Sequence, residues 1–165
     1  LNSKAKIEVS LPSGYGLRQG KNRDVPLLVE YLRSTYQELC PDASSFDHLQ
    51  LTIDSYFSEL TPLWFVETQS PDKESIACLW LGNAIEQCNG ERYTHIFLIF
   101  VRPQHRRRGI GKALLQLAEN WAKAKGDRQI DLQVFLDNQP ALNLYQNAGF
   151  TTSSVLMTKI FDTDN

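Results

Sequence analysis

"THIFLIFVRPQHRRRGIGKALLQLAENWAKAKG", residues 94–126, holds a strand, a turn and a helix in one run. Residues 94–101 are apolar almost throughout and do not alternate, the pattern of a strand buried on both faces and so interior to its sheet. Pro103 ends that strand. Ile110, Leu114, Leu117, Ala118 and Trp121 then recur at helical spacing to about Lys125, and Gly126 stops the helix. Between strand and helix sit Arg102, His105, Arg106, Arg107 and Arg108, followed by Gly109, Ile110, Gly111 and Lys112. A helix start leaves backbone N–H groups without acceptors and carries the positive end of the helix dipole, which makes it an anion site. Glycine there permits φ > 0 and removes a Cβ that would hold a phosphate off the backbone. The arginines and Lys112 add charge for further phosphate oxygens.

Working outward from this run, residues 15–20 form a short strand. Asp24 and Pro26 open a helix, which Leu28, Tyr31, Leu32, Tyr36 and Leu39 continue and Pro41 stops. Phe46, Leu49, Ile53, Phe57 and Leu60 predict a second helix from about Ser45, with one apolar stripe. Residues 63–69 and 75–87 read as strands, the latter with an irregularity at Gly82; Asn89-Gly90 is a tight-turn signal. After the central helix, residues 129–136 alternate cleanly, with Ile130, Leu132, Val134 and Leu136 on one side. Asn138 or Gln139 caps a short helix that Pro140 opens and Gly149 closes, and a last strand is expected over 150–161. The order argues for a mixed sheet with helices on both faces, in one domain spanning 15–165 after a tail at 1–14.

The 165 residues carry a net charge of −2, so the positive charge at 102–112 is local and points to a local anion. A nucleic-acid-binding domain is more often basic overall. Such binding would explain the arginines but not the Gly-x-Gly pattern. Cys40, Cys78 and Cys88 form no CxxC pair, and His48, His95 and His105 are scattered, so no metal site is expected. Reduced thiols in a cytoplasmic protein are the expectation. No apolar run reaches the length of a membrane helix, and residues 1–14 do not look like a signal peptide.

Known phosphate loops can be tested against the glycines. A P-loop needs glycine where Arg107 stands and Ser or Thr where Ala113 stands. The dinucleotide fingerprint needs glycine where Leu114 stands. Arg-x-x-Gly-x-Gly at Arg106, Gly109 and Gly111 instead resembles the acetyl-CoA-binding motif of the GCN5-related N-acetyltransferases (GNAT). A second block, "LDNQPALNLYQNAGF" (136–150), is similar to that family's segment at Asn138, Ala141, Leu144, Tyr145, Gly149 and Phe150.

The resemblance implies an α/β (α+β) fold with a mostly antiparallel central sheet and splayed central strands. It implies acetyl-CoA as co-substrate and an amine as acceptor. Its pyrophosphate would lie on backbone N–H groups of Arg107, Arg108, Gly109, Ile110, Gly111 and Lys112, with Arg106 in the same motif. The pantetheine arm would pair with the backbone of Ile99, Phe100 and Val101, and Asn138 would bind the cofactor, hold the splay or cap its helix. Tyr145 stands where many members carry a general acid, and a phenol near pKa ~10 keeps its proton at neutral pH. His95 stands where histone-type members place a glutamate base; an unperturbed imidazole titrates near ~6.5 and could act directly or through water. The alternatives are a base made of ordered water alone and a His95 that is only a hydrogen-bonded strand-edge residue. Gln133 occupies the place where members that acetylate protein N-termini often carry a glutamate, which leaves open an acyl-CoA-binding module without catalysis. The acceptor site falls by resemblance near 24–62, where Asp42, Asp47, Asp54 and Glu59 could draw a cationic amine or lie on solvated faces. A homodimer is left open.

Overall fold

The run at 94–101 is interior to the sheet. In the computed structural model, which describes residues 8–58 and 60–161, strands β1 (Tyr15–Gln19), β2 (Leu63–Thr68), β3 (Ser75–Ile85), β4 (Arg92–Val101) and β5 (Ile130–Leu132) lie side by side in chain order. The first three pairings are antiparallel and β4–β5 is parallel. A parallel step needs a crossover, supplied by helix α3 (Ile110–Lys125). Helices α1 (Val25–Leu39) and α2 (His48–Tyr56) cover one face, where Leu28, Tyr31, Leu49 and Ile53 pack on Phe65, Trp80, Leu98 and Phe100. Helix α3 covers the other, with Ile110, Leu114, Leu117 and Ala118 on Val66, Leu79, Leu81 and Ile96. Leu144 and Tyr145 of α4 (Gln139–Asn147) join that second cluster.

One irregularity decides which way β4 points its side chains. Trp80 pairs with Leu98 but Leu81 pairs with Ile96, so Phe97 is an extra residue, a β-bulge. The bulge inverts the alternation: Ile96 faces α3, whereas Leu98 and Phe100 face α1 and α2. The irregularity expected at Gly82 lies on the partner strand, and Gly82 is where the displaced Phe97 ring comes to rest; a Cβ at that position would overlap the ring. An unbroken apolar run without alternation is what such a switch of faces requires.

Several expectations need correction. Helix α2 is shorter than the stripe predicted: Phe57 takes an extended conformation (φ −90°, ψ 135°) and Leu60 is exposed. Asp24 does not cap α1 through its side chain. Its carboxylate accepts from the Lys21 N–H at 2.8 Å and pairs with Arg18 at 2.9 Å, closing the turn before the helix. Strand β5 covers 130–132 rather than 129–136, because its ladder with β4 ends at Ile96–Leu132. No strand forms over 151–161; the segment is exposed, including Val155, Leu156, Met157, Ile160 and Phe161. A strand needs an edge of comparable length to pair with, and β5 offers only three residues. Ahead of β1, Val9 and Leu11 pack on the α3 side.

Candidate active site

The turn between β4 and α3 is built from two left-handed residues. Arg107 has φ 62° and Gly109 has φ 86°, and Gly109 is the N-cap of α3. Left-handed backbone is easy for glycine and costs an arginine about 1 kcal/mol or more. The first intrahelical bond runs from the Ala113 N–H to the Gly109 carbonyl, so the amides of Ile110, Gly111 and Lys112 have no acceptor within the helix. Among the described residues nothing accepts from the amides of Arg107, Arg108 or Gly109 either. Consecutive amides from 107 to 112 thus meet the positive end of a helix of 16 residues.

The two glycines serve different ends. Gly109 supplies the left-handed φ, and a Cβ there would meet only Pro12, at an ordinary 3.7 Å. Gly111 has no such φ; a Cβ there would come within 3.2 Å of Leu144 Cδ2 on α4. Its missing side chain lets α4 approach α3, a packing role that the motif alone conceals.

The arginines also divide. Arg106 grips Glu38 of α1 with two bonds, at 2.9 and 2.7 Å, and donates from Nε to the Val101 carbonyl at 2.8 Å. It anchors the end of β4 and its guanidinium is not free for a phosphate. Arg102 bonds Glu30 at 3.0 Å and lies over the Tyr31 ring. Arg108 donates to the Tyr15 hydroxyl at 3.0 Å, which in turn meets His105 Nδ1 at 2.8 Å. Arg107 and Lys112 are exposed, and no side chain pairs with either among the described residues.

Beyond Ile96 the strand β4 continues to Val101 without a ladder partner on its β5 side among the described residues. Here Ile99 and Val101 pack in the same cluster as Ile110, Leu144, Tyr145 and Phe150. Tyr145 stands near Phe150, ring centroids 5.9 Å apart, and burial pushes its phenol above the usual value. Asn138 caps α4 by accepting from the Ala141 N–H at 3.3 Å.

His95 lies on the opposite face. Its ring meets Phe97 edge-on at 4.9 Å, and Phe97 stacks on Trp80 at 4.6 Å and tilts against Tyr56 at 5.4 Å. A groove of about 240 Å³ beside this cluster is lined by Ser55, Tyr56, Ser58, Thr61, Gly82 and Phe97. The sequence reading missed Asp131, which sits opposite His95 across β4–β5 and bonds its Nδ1 at 2.6 Å. A signal existed: Asp131 is the polar residue between Ile130 and Leu132 in an alternating strand. Of the acidic candidates for the acceptor region, Asp54 is bonded to Gln50 at 2.8 Å, Asp47 lies 3.8 Å from Arg33, Asp42 is exposed, and Glu59 lies outside the described residues. Among the described residues no cluster of three His, Cys, Asp or Glu side chains could hold a metal, and no helix is long and apolar enough to cross a membrane.

The model of the acetyltransferase (GNAT) family matches residues 26–150. An aminoglycoside N(6')-acetyltransferase type 1 of Klebsiella aerogenes is 30% identical over 118 residues, covering 69% of this chain and 77% of that protein. An uncharacterized N-acetyltransferase of Methanocaldococcus jannaschii, MJ1207, is 38% identical over 79 residues, 48% of this chain; the match spans 33% of that longer protein. In fold, the chain is similar to AAC(6')-Iy in complex with a bisubstrate analog, CoA-S-monomethyl-acetylneamine: TM-score 0.63, 18% identity, covering 92% of this chain and 100% of that one.

Proposed function

The chain belongs to the acetyltransferase (GNAT) family, and from that membership we propose that it uses acetyl-CoA to acetylate a primary amine, a small amine or a lysine-type acceptor, by direct attack. One observation carries the reading: the left-handed turn at Arg107–Gly109 opens a row of acceptorless amides beside the unpaired end of β4. Those residues fit a diphosphate. The amides from Arg107 to Lys112, without acceptors of their own among the described residues, would bind one diphosphate, and Arg107, Arg108 and Lys112 would add charge around it. Ile110 contributes only its amide, since its side chain is buried. The backbone of Ile99, Phe100 and Val101 accommodates an extended pantetheine arm. Arg106 acts on the site through its bond to the Val101 carbonyl, and Asn138 acts by fixing the start of α4.

When bound, acetyl-CoA supplies an acetyl group activated as a thioester. Tyr145, held protonated by its burial, donates to the leaving sulfur. An amide near Val101 meets the charge that develops on the acyl oxygen. His95 takes a proton from the acceptor's ammonium on the other side of the sheet. A homodimer and a cytoplasmic location complete the proposal. The exposed apolar segment at 155–161 supports the first and the free thiols of Cys40, Cys78 and Cys88 the second.

Calorimetry with CoA, followed by mass spectrometry of acetyl-CoA mixed with amines, polyamines, amino acids and lysine peptides, tests the reading. Heat on binding and a gain of one acetyl group on an amine are expected. No heat with CoA, or no transfer across the panel, removes it. Light scattering should return twice the 18.8 kDa chain mass, and a single chain mass removes the dimer.

A further inference from the structure

His95 and Asp131 are partners in the β4–β5 register, and their side chains meet at 2.6 Å between Nδ1 and Oδ1. This differs from an ion pair between long surface arms. Both side chains are short, both are fixed by strands, and they are only 28% and 38% exposed. On its other sides the imidazole has Gly82 opposite on β3 and the Phe97 ring bordering it edge-on. Two residues back, Tyr93 shares the strand, and its phenol is pushed up by burial and then by the charge of Asp131. The Asp131 carboxylate therefore stands beside two proton-bearing groups, and on His95 it meets Nδ1 rather than Nε2.

We propose that Asp131 is a positioning residue for His95, an inference that rests on the proposed amine acetylation. An ionised carboxylate can only accept, so it binds the imidazole as its Nδ1–H tautomer. Nε2 is then the nitrogen with the lone pair. In the reaction one proton moves from the acceptor's ammonium to Nε2, which makes the amine neutral and the ring an imidazolium. The amine nitrogen then forms its bond to the acyl carbon as the carbon–sulfur bond breaks. The sulfur takes the Tyr145 proton, and the amide nitrogen sheds its second proton to water. Asp131 stays ionised throughout and offsets the imidazolium charge. Solvent returns the ring and the phenol to their starting states.

The test combines kinetics with nitrogen NMR of the imidazole. In the unmodified protein the neutral ring of His95 should show a protonated Nδ1 and a bare Nε2; the opposite tautomer overturns the proposal without any variant. Asp131→Asn, whose amide can donate to Nδ1, should shift the spectrum toward the other tautomer. General-base catalysis contributes about 10²–10⁴-fold, and kcat should fall by about tenfold to a hundredfold with KM for acetyl-CoA unchanged. His95→Ala should lower kcat at least as far, and the double variant should be no worse than His95→Ala alone, as expected of residues that act as one unit. Asp131→Glu keeps the charge and should recover part of the rate, which separates positioning from folding. If Asp131→Asn retains full kcat while His95→Ala is slow, the proposal fails. If His95→Ala itself retains full kcat, the base assignment in the proposed reaction fails and the proposal with it, whereas CoA calorimetry still reports on the cofactor site.

Discussion

The glycine motif makes a contrast that melting experiments can read. Gly109 and Gly111 lie two residues apart in one motif, but alanine should destabilise the first and leave the second nearly unchanged. At Gly109 the space is open, since the added Cβ would sit 3.7 Å from Pro12, but φ is 86°. Holding an alanine in that region costs about 1–2 kcal/mol. In a domain of this size each kcal/mol moves the melting point by about 2–4 °C, so Gly109→Ala should lower Tm by about 2–8 °C. Gly109→Asn should recover part of the loss, because asparagine tolerates left-handed backbone. At Gly111 the backbone is helical, and replacing a helical glycine by alanine gains about 0.5–1 kcal/mol. Against this, Leu144 Cδ2 would lie 3.2 Å away and must yield by a few tenths of an ångström. It is the end of a flexible side chain, and an off-rotamer shift costs about 0.5–1.5 kcal/mol. The two effects nearly cancel, leaving Tm within a few degrees of the parent. The assay is thermal unfolding of the three variants beside the parent, with CoA calorimetry in parallel, where Gly109→Ala should bind more weakly than Gly111→Ala. A larger loss of stability in Gly111→Ala than in Gly109→Ala would refute the division of roles.

Tyr145→Phe should lower kcat by about 10²-fold or more while CoA affinity holds, given the usual worth of a general acid; unchanged turnover removes the phenol from the mechanism. Arg106→Ala should cost under about 1 kcal/mol of stability, because its pair with Glu38 is half exposed. Arg107→Ala should leave the melting point in place and weaken CoA binding several-fold in calorimetry; equal affinity would remove Arg107 from the anion site. Asp24 is held below the usual carboxylate range: burial works against its charge, but the Arg18 guanidinium and the Lys21 amide outweigh burial. A carboxylate depressed in the folded state stabilises it above the unfolded pKa of about 4. That contribution should vanish as pH falls through the lower folded value, and Asp24→Asn should flatten the acid limb of a stability–pH curve.

The fold was legible where one chemistry had one reading. Apolar spacing placed α1 and α3, and the central strand, turn and helix around Gly109 were read almost to the residue. Tyr145 and the β4 end do share a cluster. What escaped depended on partners distant in sequence. The Phe97 bulge leaves no mark beyond a run that fails to alternate. Asp131 looked like an ordinary outward residue until its register with His95 was known. That Gly111 also makes room for Leu144, 33 positions further along, is not visible in motif spacing. The segment at 150–161 has the composition of a strand, but composition does not say whether an edge is available.

The bulge also bears on the proposed chemistry. In a regular strand His95, Ile99 and Val101 would point the same way, because side chains two apart share a face. The extra residue at Phe97 breaks that rule between them. Ile99 and Val101 turn toward α3, where Tyr145 is, and His95 turns toward the groove beside Tyr56 and Phe97. The proposed acid and base therefore stand on opposite faces of one sheet, and an intact sheet would keep them apart. The β4–β5 ladder ends at Ile96–Leu132, one residue beyond His95 and immediately before the bulge. The two strands cease to pair at the point where the faces exchange. On the proposed reaction, an amine entering from the α1–α2 side and a sulfur leaving on the α3 side would meet at an acyl carbon between the two strands, and each proton would move on its own side of the sheet.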